Sequence, residues 1–98
     1  MSLLVEYSIE EGMADAQAAA LKQLVDGLTA IADDGYNYTA FETDDPTRFV
    51  ALLEFNDEAG KKRFLDSAPF NDYRDGSKGR FTKPPQASPI RLVATTRR

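Results

Sequence analysis

RFVALLEFNDEAGKKRFLDS, residues 48–67, is the stretch that decides the fold. Residues 49–53 are apolar without interruption. A strand with one solvent-exposed face alternates apolar and polar residues, because successive side chains point to opposite faces. The uninterrupted run therefore predicts a strand that is covered on both faces. Either Asn56 or Asp57 can cap the helix that follows, in which acidic residues come first and basic residues later.

The other elements follow from the same periodicity rules. In residues 13–32 apolar side chains recur at spacings of three and four, which predicts an amphipathic helix. Gly12 is expected in a turn and Gly35 in a left-handed helix cap. Pro69 is expected to end or bend the second helix, with one short turn after it. We predict strands over residues 2–9, 36–43, 48–55 and 89–96, and a loop over residues 75–88.

The resulting order, βαββαβ, predicts the fold class. It is a ferredoxin-like α+β fold in which a four-stranded antiparallel sheet carries two helices on one face, and residues 1–98 are expected to form a single domain. By strand parity, Leu4, Val50 and Leu52 lie on the other face. Because that face is too apolar to remain in water, we expect a second copy of the chain to cover it as a homodimer.

The composition excludes several classes of function. The chain has no cysteine and no histidine, which removes disulfides, thiol catalysis and the commonest general base and metal ligand. The net charge of -4 argues against nucleic-acid binding, and the third strand lacks the signature of RNA-binding domains with the same element order. No apolar run reaches the roughly 18 residues that cross a bilayer, and no signal-peptide pattern is present. A cytoplasmic protein without a membrane partner is expected.

Three short motifs resemble one known superfamily. DPTRFV at residues 45–50, FNDEA at 55–59 and LDSAPF at 65–70 resemble the dimeric α+β barrel superfamily, and most closely its antibiotic biosynthesis monooxygenase group. The resemblance implies that two sheets form a barrel and that a pocket lies between each sheet and its helices. It also implies oxidation of a small aromatic or quinol by molecular oxygen, with no metal or flavin cofactor.

The chain departs from the resembling proteins at three positions. Active members carry a tryptophan, an asparagine or a histidine that would fall near Phe55, Ala51 and Phe64, respectively. None of these groups is therefore carried over to this chain, and a haem-degrading role is not expected. Any chemistry must come from other side chains.

A cofactor-free oxidation of an aromatic needs hydrogen-bond donors that stabilise a phenolate and a lining that excludes water. The candidate catalytic residues are Tyr36, Tyr38 and Arg48. The alternative for the aromatic residues is that they are ordinary members of the core. The candidate substrate-binding residues are Tyr7, Phe55, Phe64, Phe70 and Tyr73.

Two classes of function remain open from the sequence. The first is a cofactor-independent monooxygenase that acts on a small aromatic or quinol-type substrate. The second is a non-catalytic barrel that binds a small ligand or acts as an accessory protein. An isomerase or decyclase on the same fold would need a buried acid–base pair, which the sequence does not offer.

Overall fold

The computed structural model describes residues 1–97 and contains four strands and three helices. The strands form one antiparallel sheet in the order β2-β3-β1-β4, which confirms the ferredoxin-like α+β class. None of the helices within residues 1–97 has the length and apolar character to cross a membrane. The elements are β1 (Ser2–Ile9), α1 (Ala14–Ile31), β2 (Tyr36–Glu42), β3 (Arg48–Phe55), α2 (Glu58–Asp66), α3 (Ala68–Gly76) and β4 (Phe81–Ile90).

The central strand β3 has its two faces as the sequence predicts. Phe49, Ala51, Leu53 and Phe55 alternate along it and are buried. They pack in the core with α1 and α2, so the helices cover this face of the sheet. The intervening apolar residues of β3 lie on the opposite face and are only half-buried in a single chain.

Helix α1 packs its predicted apolar stripe on the sheet, but its end differs from the prediction. Ala32 takes the left-handed conformation there (φ 58°), and its N–H reaches the carbonyls of Leu28 and Thr29. The prediction that Gly35 caps the helix is wrong. Gly35 is instead buried at a close approach to Gly60. A Cβ at position 35 would collide with the guanidinium of Arg63, and a Cβ at position 60 would collide with the carbonyl of Gly35. By contrast, Gly12 has the positive φ expected of its turn.

A helix replaces the single turn expected after Pro69. Ser67 ends α2 and also begins α3, where its hydroxyl accepts a hydrogen bond from the Phe70 N–H at 3.4 Å. Pro69 lies in the first turn of α3, where its missing N–H costs no hydrogen bond. The expected turn is therefore a nine-residue helix.

The prediction for the last strand is wrong in position. Most of the expected loop, residues 75–88, belongs to the end of α3 and to β4, and β4 ends before most of the predicted strand over residues 89–96. The reason is that β4 is an edge strand that pairs only with β1, and its register slips between Glu6 and Ser8, opposite Pro84 and Pro85. Proline is tolerated at sheet edges and bulges because no ladder hydrogen bond is lost there.

Candidate functional site

A cavity of about 360 Å³, partly open to solvent, lies between the sheet and the α2–α3 pair. Its lining is almost wholly apolar and comes from all four strands and from both of these helices. Pockets that hold small molecules begin at about this size and are typically lined by apolar side chains with a few polar atoms. Among the lining residues are Val5, Leu53, Phe70 and Phe81.

Phe64 is the centre of the aromatic wall of this cavity. It is 1% exposed, and its ring stacks on Tyr38 with centroids 6.0 Å apart and tilts against Phe70 at 4.7 Å. The rings of Tyr36 and Phe55 pack against that of Phe64 in T-shaped arrangements, with centroids 5.4 and 5.8 Å away. Helix α2 begins with an Asp57 cap, which fixes the register that points Phe64 at the sheet.

Three tyrosines bring side-chain hydroxyls to the cavity. Tyr7 comes from β1, Tyr38 from β2 and Tyr73 from α3, and all three line the cavity. The side-chain amide of Gln17 on α1 joins two of them, since its Nε2 donates to the hydroxyl of Tyr7 and to that of Tyr73, both at 2.8 Å. Gln17 is fully buried, so this amide is a fixed part of the site.

Arg80 holds the other end of the Gln17 amide. Its Nε donates to Gln17 Oε1 at 3.0 Å, and a terminal nitrogen donates to the carbonyl of Gly76 at 2.6 Å. The second terminal nitrogen is buried without a hydrogen-bond partner within residues 1–97. A guanidinium group can only donate hydrogen bonds, so the contact assigns the amide oxygen to the side that faces Arg80.

Burial raises the pKa of Tyr7 and of Tyr38 and so favours their protonated forms. Loss of solvent, followed by the proximity of Tyr73 and Tyr38, raises the pKa of Tyr7, and the Gln17 hydrogen bond opposes this only in part. Burial and then Tyr73 likewise raise the pKa of Tyr38. Because the pKa values move up, the phenols are hydrogen-bond donors at neutral pH and not bases.

The structure brings together five of the eight residues that the sequence suggested for the site. Tyr7, Tyr38, Phe64, Phe70 and Tyr73 line the cavity. The other three do not. Tyr36 and Phe55 belong to the core behind Phe64, and Arg48 lies on the opposite face of the sheet.

Arg48 pairs there with Glu6 at 2.9 Å, and both side chains are about half exposed. Arg48 cannot reach a ligand in the cavity from this position without refolding of β3.

Sequence reasoning missed Gln17 and Arg80. Gln17 had a usable signal, because it precedes Leu21 by four residues and Leu24 by seven and so belongs to the buried stripe of α1. A polar residue on that stripe must find partners inside the protein. Arg80 carried no comparable signal, since it lies in the segment that was predicted to be a loop.

The described part of the chain offers no metal centre at this site or elsewhere. Within residues 1–97 no three histidine, cysteine, aspartate or glutamate side chains are grouped so that they could hold a metal ion. The side chains at the site are phenols, an amide, guanidinium groups and apolar walls.

Comparison with solved structures gives the class of fold. A protein from Bacteroides thetaiotaomicron, provisionally named an antibiotic biosynthesis monooxygenase, has a TM-score of 0.84 at 18% identity, covering 100% of this chain and 93% of that one. An antibiotic biosynthesis monooxygenase gives 0.80 at 16%, covering 95% and 98%. A Nitrosomonas europaea protein of unknown function, NE2512, gives 0.78 at 22%, covering 99% and 92%.

These comparisons confirm the resemblance at the level of the fold. The chain has the fold of antibiotic biosynthesis monooxygenase-like proteins. No protein-family model matches the sequence, and no curated protein matches it.

Proposed function

We propose that the protein is a cofactor-independent monooxygenase that oxidises a small hydroxylated aromatic, of the phenol or quinol type, in the cavity. One observation carries the proposal: an apolar cavity lined by Tyr7, Tyr38 and Tyr73, in which one buried amide joins the hydroxyls of Tyr7 and Tyr73. Apolar walls bind a ring and exclude water, and the hydroxyls hydrogen-bond to an oxygen on that ring. The fold shared with proteins named antibiotic biosynthesis monooxygenases supports the same class.

The proposed reaction needs no electron donor besides the substrate. A hydroxyarene with hydrogen at a ring carbon beside or opposite the hydroxyl reacts with O₂ to give a quinone and water. The ring carbon loses its hydrogen and gains one oxygen atom, the hydroxyl loses its proton, and the second oxygen atom leaves as water. The four electrons that reduce O₂ all come from the substrate. The protein contributes binding, orientation and stabilisation of negative charge on the substrate oxygen.

Oxygen uptake tests this proposal. With a panel of hydroquinones and naphthols, the protein is expected to consume O₂ above the buffer rate. Tyr38→Phe should lower the rate by roughly tenfold or more, because it removes one donor to the developing oxyanion. Tyr36→Phe is the same chemical change outside the cavity and should have a clearly smaller effect. Uptake at the buffer rate for every compound would contradict the proposal.

A second candidate is a binding protein without catalysis. It is favoured by the raised pKa values of Tyr7 and Tyr38, because these two phenols stay protonated at neutral pH and cannot act as bases. Calorimetry separates the two candidates. A hydroxyarene that binds with a 1:1 stoichiometry, but is returned unchanged under air, would identify a binding protein.

The sheet face opposite the helices supports a proposed homodimer. Leu4, Val50 and Leu52 lie on this face, where Leu4 is directly opposite Leu52 in the β1–β3 ladder. They are half-buried in the single chain, so a substantial apolar area stays in contact with water until a partner covers it. A second copy of the same face is the simplest cover.

A further inference from the structure

We propose that Gln17 sets the hydrogen-bonding polarity of the cavity, so that the cavity selects aromatic ligands through an acceptor oxygen, either a carbonyl or an aryloxide. This inference rests on the proposed function only in taking the cavity as the ligand site. It adds which atom of the ligand is recognised and which residue decides it. Gln17 acts through the tyrosines and is therefore a positioning residue.

The contact with Arg80 fixes the orientation of the Gln17 side-chain amide. Arg80 Nε donates to one end of Gln17, and an arginine never accepts a hydrogen bond. The end that faces Arg80 must be Oε1. The NH₂ end then faces Tyr7 and Tyr73, and both of its hydrogens are used at 2.8 Å.

The Gln17 amide also limits where the hydroxyl protons of Tyr7 and Tyr73 can point. Each of the hydroxyls of Tyr7 and Tyr73 already accepts a hydrogen from Gln17, so its own proton must point elsewhere. A hydrogen bond between the two phenols would use one of these protons and leave the other. The Tyr38 hydroxyl has no hydrogen-bond partner within residues 1–97, and it lies close enough to raise the pKa of Tyr7. At least two O–H donors are therefore available to a ligand.

The charged side chains around the cavity are positive. No carboxylate lines it, whereas Arg74 does, and the guanidinium of Arg80 lies one amide away from the Tyr7 and Tyr73 hydroxyls. In a poorly solvated site these cations favour an oxygen that carries negative charge and disfavour a ligand that presents only N–H or O–H donors. Hydrogen bonding and charge thus select the same class of ligand.

Isothermal calorimetry on the wild-type chain tests the selection with three probes of one ring size. 1,4-Naphthoquinone offers only acceptors, 1-naphthylamine offers mainly donors, and naphthalene measures the apolar contribution alone. The quinone is expected to bind about tenfold more tightly than naphthalene, because one or two net hydrogen bonds are gained with an acceptor. The amine is expected to bind no more tightly than naphthalene. The chain has no cysteine, so the quinone has no thiol to modify.

Gln17→Glu should reverse this order. A carboxylate at position 17 pairs with Arg80 and accepts the protons of Tyr7 and Tyr73, so that hydroxyl lone pairs face the ligand. The amine is then expected to bind more tightly than the quinone. Gln23→Glu is the matched control, since it makes the same change at an exposed position of α1 away from the cavity, and it should keep the wild-type order.

A titration of bound 1-naphthol needs no variant and covers the case in which Gln17→Glu does not fold. Its absorbance should show a pKa below that of free naphthol when the wild-type protein is present. Equal affinity for quinone and amine, an unchanged order in folded Gln17→Glu, or an unshifted naphthol pKa would each overturn the inference. If none of the probes binds, both this inference and the proposed function fail. The expected order without any oxygen uptake would support the inference and remove the monooxygenase.

Discussion

One buried amide joins three distant parts of this chain. Gln17 bonds to Tyr7 of β1, to Tyr73 of α3 and to Arg80 before β4, at sequence separations of 10, 56 and 63 residues. No local pattern contains the identity of such partners. The stripe position of Gln17 shows that it is buried, but only the fold shows what it meets.

Ala32 has a backbone conformation that is unfavourable for a residue with a Cβ. A left-handed φ of 58° costs a residue with a Cβ roughly 1 kcal/mol, whereas glycine adopts it without penalty. Ala32→Gly is therefore expected to raise the free energy of unfolding by about 0.5–1 kcal/mol, since part of the gain is offset by the freer unfolded chain.

Urea unfolding of Ala32→Gly beside Ala30→Gly checks this expectation. Ala30 lies within α1, where the same substitution should lower stability by about 0.5–1 kcal/mol. Two variants that shift the midpoint in the same direction would show that the Ala32 conformation is not strained.

At the scale of the elements, periodicity predicted the first three strands and the first helix. The prolines of β4 obscured the position of the last strand. β1, β3 and α1 match their predictions to within about a residue because each buries a regular stripe. β4 contains Pro84, Pro85 and Pro89, which in sequence are typical of a loop. Its strand character comes from pairing with β1, and that pairing is invisible until the sheet exists.

The contact between α1 and α3 depends on Gly27. A Cβ at this position would lie 2.8 Å from two side-chain atoms of Pro69, closer than packed carbon atoms approach. Gly27→Ala should therefore lower the free energy of unfolding by about 1 kcal/mol, because overpacking outweighs the gain in helix propensity.

Gly76→Ala is the comparison for Gly27→Ala. It makes the same substitution at the end of α3, where an added Cβ meets nothing within 4 Å, and it should raise stability by about 0.5–1 kcal/mol. Thermal or urea unfolding of the pair separates the two effects. A stabilised Gly27→Ala would mean that Pro69 moves aside without cost.

At the scale of the whole molecule, the uncovered sheet face makes the proposed dimer testable. Leu52→Asp places a charge at the centre of the face that a partner would cover, and an unpaired buried charge costs several kcal/mol. Sedimentation should show a dimer for the wild type and a monomer for the variant.

Ile31→Asp is the control for the dimer, since it changes a side chain that is 48% exposed at the end of α1, away from the sheet face. It should remain dimeric. A dimer that survives Leu52→Asp would show that the chains associate through another surface.

The prolines of β4 also make the two edges of the sheet unequal towards aggregation. An exposed edge strand can template the addition of further strands through its free N–H and C=O groups, which is how fibrils grow. On β4, Pro84, Pro85 and Pro89 have no N–H, and the bulges break the regular spacing of the remaining groups. β2 at the other edge contains no proline. Fibril-like growth from the native sheet is therefore directed to β2, and a single proline or lysine placed there would protect the whole molecule.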